Sequence, residues 1–106
     1  AVVARAEGAT AMARSMGFDV VLIDINKTSY SDALDAAIPR VRPGGLILAD
    51  NVLWGGKTAR EAAPDDHSTQ ALQHFNDRLV SDPRLRTELL PCGDGLSVSM
   101  RLPDQP

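Results

Sequence analysis

The run Phe18-Asp19-Val20-Val21-Leu22-Ile23-Asp24 constrains this chain more than any other feature. Beyond Asp19 the residues are aliphatic and mostly β-branched, with no polar alternation until Asp24. That is the pattern of a strand covered on both faces in a parallel sheet. A second run, Leu46-Ile47-Leu48-Ala49-Asp50, has the same character and the same acidic ending. Between them Tyr30, Ala33, Leu34, Ala37, Ile38 and Val41 fall on one stripe, which predicts a helix over 30–41. Pro39 lies near its end and should kink or terminate it.

The remaining segments extend this alternation. Val2-Val3-Ala4 reads as a short strand ended by Gly8, and residues 9–16 as a helix closed by Gly17. Arg42-Pro43-Gly44-Gly45 reads as a turn, and residues 52–66 as a loop. Asp66 or Ser68 can cap a helix in which Ala71, Leu72, Phe75 and Leu79 recur at helical spacing, with Asp82-Pro83 as its stop. Residues 85–91 and 96–102 read as strands joined by Cys92-Gly93-Asp94-Gly95, where the Asp-Gly pair is a hairpin turn signal. Residues 103–106 form a tail. The expected fold is α/β, with a mostly parallel sheet and a C-terminal antiparallel hairpin that places one antiparallel strand near an edge. A length of 106 residues suits one small domain.

Charge and cysteine content narrow the partners. A net charge of -3 argues against nucleic acid and against anionic membrane surfaces, which reward basic patches. No apolar run approaches the roughly 20 residues that span a bilayer. The N-terminal stretch has no charged leader with a long apolar core, so no signal peptide is expected. Cys92, the single cysteine, has no internal partner. A reducing cytoplasm is the expected compartment.

In open parallel sheets ligands gather beyond the carboxyl ends of the strands, which directs attention to Asp24, Asp50 and Asn51. If the two strands are parallel neighbours, two carboxylates and an amide oxygen converge, a donor set suited to a hard cation such as Mg²⁺. A lone strand-end aspartate more often caps the following turn. Two at matched positions, one followed by Asn51, favour a site. Lys27 lies three residues past Asp24; beside a cation it is a candidate proton acceptor, whereas spacing alone fits a solvated loop lysine. His67, His74 and Asp65-Asp66 read as surface groups, and Cys92 as structural. Trp54, in a glycine-rich loop, reads as a pocket wall or a core anchor.

These blocks, taken in order, resemble the cation-dependent class I O-methyltransferases, the group containing caffeoyl-CoA and catechol O-methyltransferases. The resemblance is carried by residues 18–27, Tyr30, Arg42-Pro43-Gly44-Gly45 and Asp50-Asn51-Val52-Leu53-Trp54-Gly55-Gly56, then by Phe75-Asn76 and residues 89–96. It covers nearly the whole chain and implies a Rossmann-like S-adenosylmethionine-binding sheet. Asp24, Asp50 and Asn51 match the family's metal ligands, and Lys27 its proposed base. Trp54 and Gly55 match the acceptor-pocket loop. Gly8 and Ala9 match the turn at the cofactor's adenine, and Asp24 and Asn26 lie on the cofactor side. Asn26 stands where many members have Asp, and Pro39 replaces a usual leucine.

The family's glycine-rich cofactor loop and ribose-binding carboxylate have no counterpart here, since no G-x-G pattern precedes Phe18. The chain therefore reads as a single partial domain over 1–106, a C-terminal half with its N-terminal strands missing and little activity alone. The activity implied is methyl transfer to a cation-bound oxyanion of a catechol-like or other vicinal hydroxyl acceptor. A homodimer is the assembly implied. Two rivals remain: a receiver-like domain with Asp24 as phosphoacceptor, which leaves Asp50-Asn51 without a role, and a non-catalytic dimerisation piece.

Overall fold

The computed structural model describes residues 18–103. The strand expected at 2–4, the helix at 9–16 and most of the tail lie outside that span. The elements run β1 (Phe18–Ile23), α1 (Tyr30–Ala37), β2 (Val41–Asp50), α2 (His67–Ser81), β3 (Leu85–Leu90) and β4 (Leu96–Arg101). One-turn 3-10 segments occupy Lys27–Ser29 and Lys57–Ala59. Among the described residues no helix is long and apolar enough to cross a membrane.

The sheet has strand order β1-β2-β4-β3. β1 and β2 pair in parallel, whereas β4 is antiparallel to both β2 and β3. Strands β1, β2 and β3 thus point one way and β4 alone runs against them, one place in from the edge. The described sheet is mixed rather than mostly parallel. Its closing hairpin folds back so that β4 takes the open edge of β2, and β3 is left outermost.

Pairing partners share a face, so register assigns the core. Val21 opposes Ile47, which opposes Ser99, which opposes Thr87; Ile23 opposes Ala49, which opposes Ser97. This face carries α1 and α2, and Val21, Ile23, Ile47 and Ala49 pack there with Leu34, Ile38, Leu72, Phe75 and Leu79 in one buried cluster. The opposite face presents Val20, Leu22, Leu46, Leu48, Val98 and Met100, all half-buried. Among the described residues helices cover one face of the sheet, where the continuous apolar run led us to expect two.

Helix ends follow local chemistry. α1 stops at Ala37, four residues short of the expected end: Ile38 keeps helical angles and still donates to the Leu34 carbonyl, but Pro39 has no N–H to continue the ladder. Asp66, not Ser68, caps α2: its carboxylate accepts from the Thr69 amide at 3.2 Å and the Thr69 hydroxyl at 2.7 Å.

Residues 42–45 are not a turn before a strand but an excursion inside β2. Phe18 pairs with Val41 and Val20 with Leu46, so one residue of β1 faces four of β2. Gly45 is required there. A Cβ would lie 2.5 Å from the Val41 side chain and 2.8 Å from the Asp19 carbonyl oxygen. An Asp19–Arg42 ion pair spans the excursion, and Arg42 holds the Asp19 carboxyl below the usual carboxylate range.

Candidate active site

The parallel register of β1 and β2 ends with Ile23 beside Ala49. Asp24 and Asp50 are the next residues of the two chains, so they leave adjacent strand tips at the same level. The C-terminal edge of the sheet is therefore where the acidic endings of both runs meet. Among the described residues no group of three His, Cys, Asp or Glu side chains is placed to hold a metal ion. The expected set is sparser, two carboxylates and an amide.

Asn51 follows Asp50 in the left-handed backbone region, at φ 65°. Its own amide N–H donates to Asp50 Oδ1 at 2.8 Å. At this bend the Asn51 side chain lies between the loop after β1 and the β3–β4 connection. There Asn51 Oδ1 accepts from Lys27 Nζ at 3.2 Å, and Asn51 Nδ2 donates to Asp94 Oδ2 at 3.1 Å.

Lys27 is not a solvated loop lysine. It opens the 3-10 segment after β1, and its ammonium reaches inward to Tyr30 Oη at 2.8 Å and the Ile25 carbonyl at 3.4 Å. With Asn51 Oδ1 these acceptors use its three N–H donors. Its Nζ also lies 4.7 Å from the Tyr30 ring centre and 5.5 Å from that of Trp54, within cation–π range.

Tyr30 joins the two strand tips. It is fully buried and meets Phe75 edge to face, with ring centres 5.2 Å apart. Its hydroxyl accepts from Lys27 and donates to the Asp50 carbonyl oxygen at 2.8 Å. Burial pushes its pKa well above the usual tyrosine range, and the Asp24 and Asp50 carboxylates push it further. Both carboxylates therefore act on one hydroxyl. The sequence puts Tyr30 on the core stripe of a helix and among the residues that carry the family resemblance; its spacing of three from Lys27 is the local sign of a second role.

The loop after Asn51 packs over this group. Trp54 also has positive φ, at 51°, and is half-buried against the core. The Gly55 amide donates to Asp94 Oδ1 at 2.6 Å. That hydrogen bond, then the one from Asn51, holds the Asp94 carboxyl below the usual carboxylate range. Asp94 was expected only as half of a hairpin turn. Since Leu90 pairs with Leu96, residues 91–95 form a longer connection, and the carboxylate faces the site loop instead.

The structure thus brings together Lys27, Asp50, Asn51 and Trp54, with Asp24 at the neighbouring strand tip by register. Asn26 is exposed and makes no side-chain cap. Gly8 and Ala9 lie outside the described residues. His67, His74 and Cys92 are exposed.

Known proteins share both sequence and fold with this chain. The O-methyltransferase family model matches residues 7–102. The caffeoyl-CoA O-methyltransferase of Petroselinum crispum is 37% identical over 90 residues, covering 80% of this chain and 37% of that protein. The crystal structure of cofactor-bound Rv0187 from MTB superposes with TM-score 0.75 at 26% identity, covering 88% of this chain and 45% of that one. The S-adenosylhomocysteine-bound methyltransferase PaMTH1 of Podospora anserina gives TM-score 0.71 at 25% identity, over 96% of this chain and 59% of that one. The chain spans less than two thirds of the length of each. It belongs to the O-methyltransferase family, in its caffeoyl-CoA and catechol O-methyltransferase-like group, and spans part of that fold.

Proposed function

We propose that this sequence provides the acceptor and cation side of an S-adenosylmethionine-dependent O-methyltransferase acting on a catechol-like or other vicinal hydroxyl compound. The observation that carries the reading is the meeting of Lys27, Asp50, Asn51 and Tyr30 at the tips of two parallel strands. Asp24, Asp50 and Asn51 Oδ1 are hard oxygen donors and fit a divalent cation such as Mg²⁺. When bound, S-adenosylmethionine supplies the methyl group as a sulfonium, and the cation polarises the acceptor oxygen as a Lewis acid.

The chain's own residues have separate tasks in this reading. Lys27 Nζ, as the free amine, is the candidate acceptor of the proton released by the acceptor hydroxyl. Its three acceptors suit the ammonium that such a transfer produces. Trp54 and Gly55 form the wall against which an aromatic acceptor is positioned, and positioning is worth several orders of magnitude in such reactions. Asp24 and Asn26, exposed at the β1 tip, take the cofactor side in this reading. A second copy of the chain is the proposed partner, meeting the exposed Leu53, Leu89 and Leu90. The cytoplasm remains the proposed compartment. The family match gives no support to the receiver reading of Asp24.

Calorimetric titration with Mg²⁺ tests the cation site: binding is expected, and its loss in Asp50→Ala. A methyl-transfer assay of an enzyme carrying this sequence, run on a catechol panel with and without EDTA, tests the reaction. Activity unaffected by EDTA overturns the cation's part in it.

A further inference from the structure

A side-chain amide can present either its oxygen or its nitrogen to a neighbour, because the two ends are nearly the same in shape. For Asn51 the choice decides whether the strand tips carry three oxygen donors or two oxygens and an N–H. Its surroundings resolve that choice with two partners of opposite kind. Lys27 Nζ has only protons to give, and it lies 3.2 Å from Asn51 Oδ1. The Asp94 carboxylate only accepts, and its Oδ2 lies 3.1 Å from Asn51 Nδ2.

Asp94 does more than orient one amide. Its other carboxylate oxygen accepts from the Gly55 N–H at 2.6 Å. Its main-chain oxygen accepts from Leu53 N at 2.9 Å, and the Gly95 oxygen accepts from Val52 N at 3.3 Å. The β3–β4 connection thus grips residues 51–55, across the two non-glycine positive-φ residues Asn51 and Trp54. The close approach depends on Gly95, where a Cβ would stand 2.5 Å from Leu53 Cγ and 2.8 Å from Leu53 N.

We propose that Asp94 is a positioning residue. Its carboxylate holds the Asn51 amide with Oδ1 toward the cation and acceptor position, and holds the Trp54-Gly55 wall in register with it. The proposal rests on the reading of Asp24, Asp50 and Asn51 as one donor set. It differs from a turn-forming role in a way that one substitution separates. Asn-Gly serves a hairpin connection as well as Asp-Gly does. An asparagine at position 94, however, brings one oxygen and one N–H end, so it cannot accept from Asn51 Nδ2 and the Gly55 amide through two oxygens.

The experiment compares wild type, Asp94→Asn and Asp50→Ala in the full chain. Mn²⁺ affinity is measured by calorimetry and paramagnetic broadening. The Asn51 side-chain NH₂ pair and the Gly55 amide are followed by ¹⁵N NMR. Asp94→Asn is expected to keep the circular dichroism spectrum, shift the Asn51 pair and expose Gly55 N–H to exchange. It should also weaken Mn²⁺ binding about tenfold, the usual loss when a partner behind a metal ligand is removed. Wild-type affinity with unmoved Asn51 and Gly55 signals overturns the proposal and leaves the donor set standing, provided Asp50→Ala loses binding. Equal affinity of Asp50→Ala and wild type overturns the donor set, and the proposal with it. If Asp94→Asn fails to fold, wild type alone decides: Asn51 NH₂ and Gly55 N–H exchanging at the rate of free amides overturn the proposal, and protection of both supports it.

Discussion

The Tyr30 hydroxyl accepts from Lys27 Nζ at 2.8 Å and donates to the Asp50 carbonyl at 2.8 Å, so one buried atom couples the loop after β1 to the tip of β2. Tyr30→Phe keeps the ring against Phe75 and removes only that bridge. Leaving a half-buried carbonyl and an ammonium one partner short should cost about 1–3 kcal/mol, read by urea unfolding. A loss below about 0.5 kcal/mol, the level of an ordinary surface change, would mean that solvent replaces the bridge.

Tyr30 is also the single tyrosine of the chain, so its ionisation can be read by ultraviolet absorbance without overlap. Its folded pKa is raised, first by burial and then by Asp24 and Asp50. A raised pKa stabilises the fold below the unfolded value of about 10. That stability declines as pH rises above it, because the unfolded chain releases the proton and the folded chain retains it. The tyrosinate band is expected to emerge only with unfolding at alkaline pH. A simple titration near pH 10 with the far-ultraviolet spectrum unchanged would show the hydroxyl to be solvated.

Gly93 and Gly95 separate two ways in which a glycine is required. Both have positive φ, 55° and 89°, but a Cβ on Gly93 meets nothing within 4 Å, whereas one on Gly95 runs into Leu53. Gly93→Ala should cost about 1–2 kcal/mol, the backbone penalty alone. Gly95→Ala should cost more than that and loosen residues 51–55 as well, seen as faster hydrogen exchange at Leu53 and Gly55. Equal losses for both would place the requirement in the backbone only.

The strand tips were legible because burial on a sheet interior leaves a plain trace, a continuous apolar run, and both runs end in aspartate. The cap was legible as Asp66 or Ser68, and Pro39 as a kink or an end, because that chemistry is local; the stop at Ala37 was not. The excursion at 42–45 was not, since Arg-Pro-Gly-Gly has the composition of a turn. Only pairing with β1 shows that the strand begins at Val41 and resumes at Leu46. Tyr30 and Asp94 were seen in their local roles, a core stripe and a turn. A hydroxyl's direction within a helix stripe, and a carboxylate's reach across 43 residues to Asn51, are set by tertiary packing.

Asp66 offers a pH effect away from the site. Hydrogen bonds from the Thr69 hydroxyl and amide lower its pKa, so its contribution is present above the unfolded value of about 3.9 and is lost as pH falls through the lower folded value. Asp66→Asn retains an amide oxygen for the cap and has no proton to gain. It should flatten the acid limb of stability against pH, while Asp66→Ala lowers stability at neutral pH too. An acid limb of wild-type steepness in Asp66→Asn would assign it to other carboxylates.

Lys27 and the proposed cation compete for one atom. Asn51 Oδ1 has two lone pairs, and Lys27 Nζ already uses one at 3.2 Å. The ammonium also places a positive charge beside the position a divalent ion would take. Lys27→Met keeps most of the apolar stem between the Tyr30 and Trp54 rings and removes both effects. Mn²⁺ affinity should therefore rise, by roughly tenfold if the two charges stand several ångströms apart in a partly solvated site. Methyl transfer by an enzyme carrying the same change should fall, because the proton loses its holder. Tighter cation binding with lost activity would separate the two tasks that Lys27 and Asn51 divide between them. Weaker binding would show that Lys27 holds Asn51 in place for the ion rather than opposing it.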